Sequence, residues 1–300
     1  MDTALKLRIA HEKKDILDTN QINQWLQESV LVKKLTEQPV SANGLANLFT
    51  LVGLAEIPYA ERLDRTQELI DYVETNLATT EGFSYTGNID HIVPCYNAML
   101  LEAYARLGLS HYASAQQALS WIKHYQLFER NQKTAWAGKG IKKHGGCLNA
   151  VPCYIGIGKT VRALITWQEY QKSADPEVDQ LIKQGIAYML KHRFFLRLSN
   201  DTPISKHITS SAFPQSYFLS LTDLVYIAGK GGVLLEENTQ LLIELLTEKQ
   251  VQPKQWKLEH IYSYKGYTSF ETRRKPSEWL STLYPLWLAG TEIKGDAPSL

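Results

Sequence analysis

The sequence predicts an all-α protein assembled from repeated helical hairpins. Three observations predict it. A proline that opens an apolar stretch recurs at Pro39, Pro94, Pro152, Pro214 and Pro276, in steps of 55, 58, 62 and 62 residues. Glycine follows 14 or 15 residues later at Gly53, Gly108, Gly229 and Gly290, while the third repeat has Thr166-Trp167 there. Proline suits the first helical position and glycine the left-handed C-terminal cap, so the pair brackets a helix of about four turns. Finally, segments apolar on all sides alternate with amphipathic ones, and each step leaves room for a second helix and a loop.

The elements follow in order. Residues 1 to 36 are charged, with amphipathic stretches at Ile16-Leu17, Ile22, Trp25-Leu26 and Val30-Leu31, and predict one or two helices packed outside the first repeat. Inner helices are expected over about 41 to 53, 94 to 107, 152 to 169, 214 to 228 and 277 to 289, the last kinked at Pro285. Outer helices are expected over about 60 to 77, 112 to 126, 176 to 193 and 236 to 249. In the third of these Val178, Leu181, Ile182, Ile186, Met189 and Leu190 recur at helical spacing behind an Asp175-Pro176 start. A helix apolar on every side must be covered on every side. Two layers satisfy that: an inner ring of parallel helices around a central cavity, and an outer ring facing water. The long connections 127 to 151, 195 to 213 and 250 to 275 carry aromatics and glycines, among them Trp136, Gly145, Gly146, Trp256, Tyr262, Tyr264 and Tyr267. All of them deliver the chain to an inner-helix start, so all are expected at one end.

The chain has 300 residues, 44% hydrophobic and 21% charged, with net charge +1, which gives no overall pull towards nucleic acid or a membrane surface. No apolar run approaches the roughly 20 residues of a membrane span. The start Met1-Asp2-Thr3-Ala4 has no signal-like apolar core, so a cytoplasmic protein is expected. Three cysteines do not suggest a disulfide scaffold. The repeats predict one domain over 1 to 300, with a polar tail after 290. No P-loop, strand-led GxGxxG, HExxH or GxSxG run occurs.

Pro94-Cys95-Tyr96, the pair Cys147 and Cys153, Pro276-Ser277-Glu278-Trp279, and the runs Gln126 to Trp136 and Gln250 to Trp256 carry a resemblance. Over about 39 to 290 the chain resembles the α/α-toroid superfamily of terpenoid cyclases and protein prenyltransferase β-subunits. More narrowly it is similar to a bacterial and archaeal group of prenyltransferase- or squalene-cyclase-like repeat proteins. The resemblance implies an (α/α) toroid of five to six helical hairpins, the sixth supplied by the N-terminal helices. It also implies an isoprenoid-like or other lipidic anionic ligand in a central apolar cavity. Three departures stand out. Neither the DxDD run of class II cyclases nor the DDxxD of class I is present, which argues against cyclisation by either route. Val151 stands where a prenyltransferase has its zinc-binding Asp. Val93 stands where the narrower group has a His before Pro-Cys.

Candidate chemistry falls into three sets. Cys95, Cys147 and Cys153, with His144 or His91, could hold zinc as a Cys3His set, or the cysteines could be small buried hydrophobes. Basic residues precede three inner helices: Lys139, Lys142 and Lys143; Lys206 and His207; Arg273, Arg274 and Lys275. With the helix N-termini they would form an anion-binding rim, or be solvated loop residues. Tyr96, Tyr154, Tyr217 and Trp279 near the helix starts would line the mouth. Glu102, Lys159, Arg162 and Asp223 interrupt apolar helices. Glu102 with Lys159 would be an acid–base pair facing the cavity, with Asp223 a third catalytic candidate, or all are structural ion pairs. Two functions result. One is a ligand-handling protein for a hydrophobic or amphiphilic small molecule, with metal-assisted group transfer if it is an enzyme. The other is an inactive scaffold that binds a protein.

Overall fold

A computed structural model describes residues 1–144 and 146–289 of the chain. Helix starts are set by short polar side chains or by proline. Asp2, Asp18 and Ser29 cap α1 (Thr3–Glu12), α2 (Thr19–Glu28) and α3 (Val30–Thr36), each accepting an amide hydrogen of the first turn. Asn43 does the same for α4 (Gly44–Ala55), and α5 (Asp64–Asn76) follows a single 3-10 turn. Pro94 is itself the first residue of α6 (Pro94–Arg106). After α7 (Ala113–Tyr125), the short α8 (Gly140–Lys143) and α9 (Tyr154–Tyr170), Asp175 caps α10 (Pro176–Lys191). Ser220 and Asp223 form a reciprocal capping box on α11 (Leu221–Lys230). α12 (Gln240–Glu248) and α13 (Glu278–Leu288), the latter capped by Ser277, complete the set. Among the described residues there are only isolated bridges and no strand, and no helix is long and apolar enough to cross a membrane.

The two expected kinds of helix are present. α4, α6, α9 and α11 are buried around almost their whole circumference, whereas α5, α7, α10 and α12 bury one face. α4 packs on α6, α6 on α9, α9 on α11, α11 on α13, α13 on α1, α1 on α3 and α3 on α4, so the contacts run in a circuit. α5, α7, α10 and α12 lie against α4, α6, α9 and α11 respectively.

Residue pairs across these contacts show that the inner helices run the same way. Phe49 meets Tyr96 and Glu56 meets Arg106; Glu102 meets Arg162 and Arg106 meets Thr166. Arg162 meets Asp223 and Thr166 meets Tyr226; Thr222 meets Tyr284 and Tyr226 meets Trp287. At the last seam the Met1 amino group faces Glu278 and Trp287 donates to Glu12, so α1 is parallel to α13.

The structure corrects several expectations. Three helices, rather than one or two, occupy the first 36 residues. Only Pro94 opens its helix. Pro39 and Pro214 lie well ahead of α4 and α11, and Pro152 and Pro276 two residues ahead of α9 and α13. After Pro214 the chain is non-helical to Ser220, with a bend at the half-buried Tyr217 and Phe218, and Ser220 caps α11 in its place. Gly108 takes the left-handed conformation, but Gly53 and Gly229 lie inside helices, and past α11 Gly232 has the positive φ. Gly145, Gly290 and the tail after it lie outside the described residues.

The interior is occupied rather than hollow at the level of α9's midpoint. Arg162, Lys159, Glu102, Asp223, Glu56 and Gln215 meet there, each 4% exposed or less. Above them the 211–220 segment and Tyr267 fill the space, with the Tyr267 hydroxyl donating to the Pro214 carbonyl at 2.9 Å.

Gly229 marks how closely α11 and α13 approach: a β-carbon there would lie 2.3 Å from the Trp287 carbonyl oxygen. Gly229→Ala is expected to cost about 1–3 kcal/mol in urea unfolding, because the clash is with backbone. At Gly53 the nearest atom to an added β-carbon is 3.6 Å away. Gly53→Ala, measured alongside, is expected to be neutral or to stabilise by up to about 1 kcal/mol.

Candidate functional site

The three catalytic candidates lie in the filled interior. Arg162 on α9 donates to Glu56 at 2.6 Å, to Glu102 at 3.0 Å and to Asp223 at 2.9 Å, and its guanidinium lies 4.9 Å from the Tyr226 ring. Glu102 also accepts from Arg106 at 2.9 Å and from Gln215 at 3.1 Å. Lys159 pairs with Asp223 at 3.0 Å, not with Glu102. Asp223 further accepts from the Ser220 amide and hydroxyl at 2.8 and 2.7 Å. The expected Glu102–Lys159 acid–base pair is therefore replaced by a network in which every charge has an opposite partner. Burial opposes ionisation of Glu56, but Arg106, Arg162 and Arg8 overcome it and hold the carboxyl down to about 2. Burial lowers Lys159, partly offset by Asp223. Glu102, Lys159 and Asp223 face protein on all sides, which fits structural ion pairs.

Reactive groups gather instead at the N-terminal ends of α6 and α9. Cys95 is the second residue of α6 and Cys153 the cap residue of α9. The loop before α9 folds back so that the Cys153 amide donates to the Cys147 carbonyl at 2.9 Å, which brings the two side chains together. The Cys147 thiol donates to the His144 carbonyl at 3.5 Å; its closeness to Cys153 lowers the Cys153 thiol, against burial and with help from the Gly156 and Ile155 amides. The same closeness raises Cys147, and burial raises Cys95 to about 12, with Cys153 adding to it.

Tyrosine rings surround this end. Tyr96 lies 5.9 Å from Tyr217 and 5.5 Å from Tyr85, and Tyr217 lies 5.7 Å from Phe218. Phe49 is 5.3 Å from Tyr262, which stacks on Tyr264 at 5.9 Å. Burial raises Tyr217 to about 12, followed by Cys95, Cys153 and Cys147, so its hydroxyl shares the neighbourhood of all three sulfurs.

Two basic edges flank the rings. On one side Tyr85 bonds His144, beside Lys143, and stacks with His91 at 5.9 Å. On the other His207 stacks on His260 at 3.8 Å, with Lys206 and Arg273 close to His260. Burial first, and then these cations, hold His144, His207 and His260 below the usual imidazole range, so the lysines and arginine carry the positive charge. Lys142 lines a neighbouring cleft of about 590 Å³ with Lys133 and Trp136; Arg274 lines a shallow one with Lys257.

Other expectations are corrected. Among the described residues no three His, Cys, Asp or Glu side chains are grouped to hold a metal ion. His144 Nε2 bonds the Tyr85 hydroxyl and His91 Nδ1 the Thr86 hydroxyl at 2.8 Å, and neither imidazole is grouped with the cysteines as a metal set. Tyr154 turns away from the mouth, its hydroxyl donating to the Phe194 carbonyl at 2.7 Å. Trp279 is 2% exposed, packed between Phe213 and Phe270. Sequence reasoning missed Glu56 and Gln215 in the network and Phe49, Tyr85, Tyr262 and His260 at the mouth. The signal for Glu56 was a carboxylate directly after a fully apolar helix.

Known protein families, curated proteins and solved structures were compared with this chain, and none matches it.

Two outcomes are expected. Arg162→Ala strands Glu56, Glu102 and Asp223 and should cost about 3–5 kcal/mol by denaturant unfolding. Because the folded Glu56 carboxyl sits below its ordinary 4.5, its contribution is complete above that pH and fades as pH falls towards about 2, so acid unfolding of the native chain should be centred in that window. In the folded chain iodoacetamide should label Cys153 at a lower pH than an ordinary thiol, read by peptide mass spectrometry, and leave Cys95 intact until the protein unfolds.

Proposed function

We propose that the chain is a one-domain (α/α) toroid whose working surface is the tyrosine-lined mouth, where it binds an amphiphilic anion. The closed circuit of contacts and the common direction of α1, α4, α6, α9, α11 and α13 support the toroid reading. The observation that carries the ligand reading is the convergence of Tyr96, Tyr217, Tyr262 and Tyr264, all half-buried, between two cationic edges at the N-terminal ends of parallel helices. Aromatic faces take an unsaturated, isoprenoid-like tail. Helix N-termini with Lys143, Lys206 and Arg273 take the anionic head. The ligand lies across the mouth, because Gln215 and the ion network fill the space beneath it. Neither catalysis nor a metal is part of this reading.

The filled interior favours a second reading, in which the same aromatic surface is a non-catalytic docking face for a protein.

Calorimetric titration with farnesyl diphosphate tests the first. Saturable binding is expected, weakened about tenfold, or ~1.4 kcal/mol, in Tyr217→Ala and in a Lys206→Ala, Arg273→Ala double variant. No binding, together with no amphiphile retained on native mass spectrometry of the purified protein, would leave the docking reading.

A further inference from the structure

A separate cleft of about 390 Å³ opens on the side of the molecule where α9 meets α10, and Cys153 is in its wall. Arg130, Tyr188, His192, Arg197 and Ser199 line it as well. Arg130, Arg197 and Ser199 are exposed, while Cys153 is half-buried. His192 is 5% exposed, and its Nδ1–H donates to the Leu196 carbonyl at 2.8 Å. Its Nε2, the remaining acceptor, is buried without a protein partner. A buried acceptor in a cleft wall calls for a donor from what enters the cleft. Arg197 donates from Nε and Nη2 to the Pro203 and Ile204 carbonyls at 3.3 and 3.2 Å, and its remaining Nη1, with the Arg130 guanidinium, suits carboxylates. Beside them lies the Cys153 sulfur, and Cys147, outside the cleft wall, is held next to it by the 2.9 Å bond from the Cys153 amide to the Cys147 carbonyl, its thiol donating to the His144 carbonyl at 3.5 Å.

We propose that this cleft is a thiol–disulfide exchange site for a small disulfide bearing carboxylates and N–H groups, with Cys153 as the attacking cysteine and Cys147 as the resolving one. The Cys153 thiolate attacks one sulfur of the disulfide R–S–S–R. One S–S bond breaks, RS⁻ leaves, and a mixed disulfide Cys153–S–S–R remains. The Cys147 thiol gives its proton to the departing thiolate and attacks the Cys153 sulfur, expelling the second half, which is protonated by water. Two protein thiols become one disulfide, and the small disulfide is reduced to two RSH. The backbone bond between Cys153 and Cys147 sets the two residues at a separation a disulfide can span. Cys95, buried and absent from the cleft wall, takes no part. This assignment is independent of what the tyrosine mouth binds.

The full-length reduced chain is incubated with glutathione disulfide, and the products are followed by intact mass and peptide mapping. The native chain is expected to lose two hydrogens through a Cys147–Cys153 disulfide. Cys147→Ala is expected to stop at one glutathione on Cys153, and Cys153→Ala to react at neither position. Exchange with glutathione disulfide should be about tenfold faster than with uncharged hydroxyethyl disulfide, the effect of two solvent-exposed ion pairs. Arg130→Ala with Arg197→Ala should erase that preference without altering the rate for the uncharged reagent. Because Arg197 also donates to the Pro203 and Ile204 carbonyls, thermal unfolding of the double variant is read beside the rates, and Arg130→Ala alone is expected to lower the preference as well. An unmodified Cys153 in the native chain, equal rates with the two reagents, or glutathione carried by Cys95 would overturn the assignment.

Discussion

The Arg162 guanidinium sits where α4, α6, α9 and α11 converge, and the rest of the interior is arranged around it. It is satisfied by carboxylates from three other segments: Glu56 at the end of α4, Glu102 on α6 and Asp223 on α11. An ion this deep is tolerable only when its donors are all used and its partners are themselves bonded. Each nitrogen of Arg162 has a carboxylate partner, Arg8, Arg106 and Lys159 stand beside it, and Glu12 extends the network to α1, where Arg8 Nη2 is buried without a hydrogen bond. Positive and negative groups alternate across helices, which fixes the register of each helix on the next in a way an apolar seam would not. Asp223 ties this to local structure, since the carboxylate that binds Arg162 and Lys159 also completes the cap of α11.

The same network decides where chemistry can occur. A centre packed with paired charges, and roofed by Gln215 and Tyr267, offers no room for a long apolar chain. It is at the N-terminal ends of the inner helices that the loops before α6, α9 and α11 bring thiols, phenols and imidazoles together. The division is between a mid-level that holds the molecule in one arrangement and an end that presents groups able to react.

Much of the architecture was legible in the residues. The all-round apolarity of 98 to 101 and 155 to 158 foretold fully buried helices, and Pro94 foretold a helix start to the residue. The gathering of Cys95, Cys147 and Cys153 at one end followed from parallel helices. The partners within the network did not. Lys159 and Arg162 are three positions apart, so a small rotation of α9 decides which of them meets Glu102, and sequence spacing cannot resolve that. Pro214 misled because a proline in a non-helical buried segment reads the same as one at a helix start. Sequence spacing did not show that Tyr85 and Thr86, in the loop before α6, bond His144 and His91.

The wide spacing of the charged groups along the chain has a consequence for how the molecule comes into being. Glu56 must wait for Arg162, 106 residues later, and the seam between α1 and α13 joins Glu12 to Trp287. Until the later helices arrive, the earlier ones carry ions that remain hydrated, and hydrated ions resist being trapped in a premature collapse. Charges whose partners lie so far along the sequence thus disfavour burial of the early helices until the later ones are present.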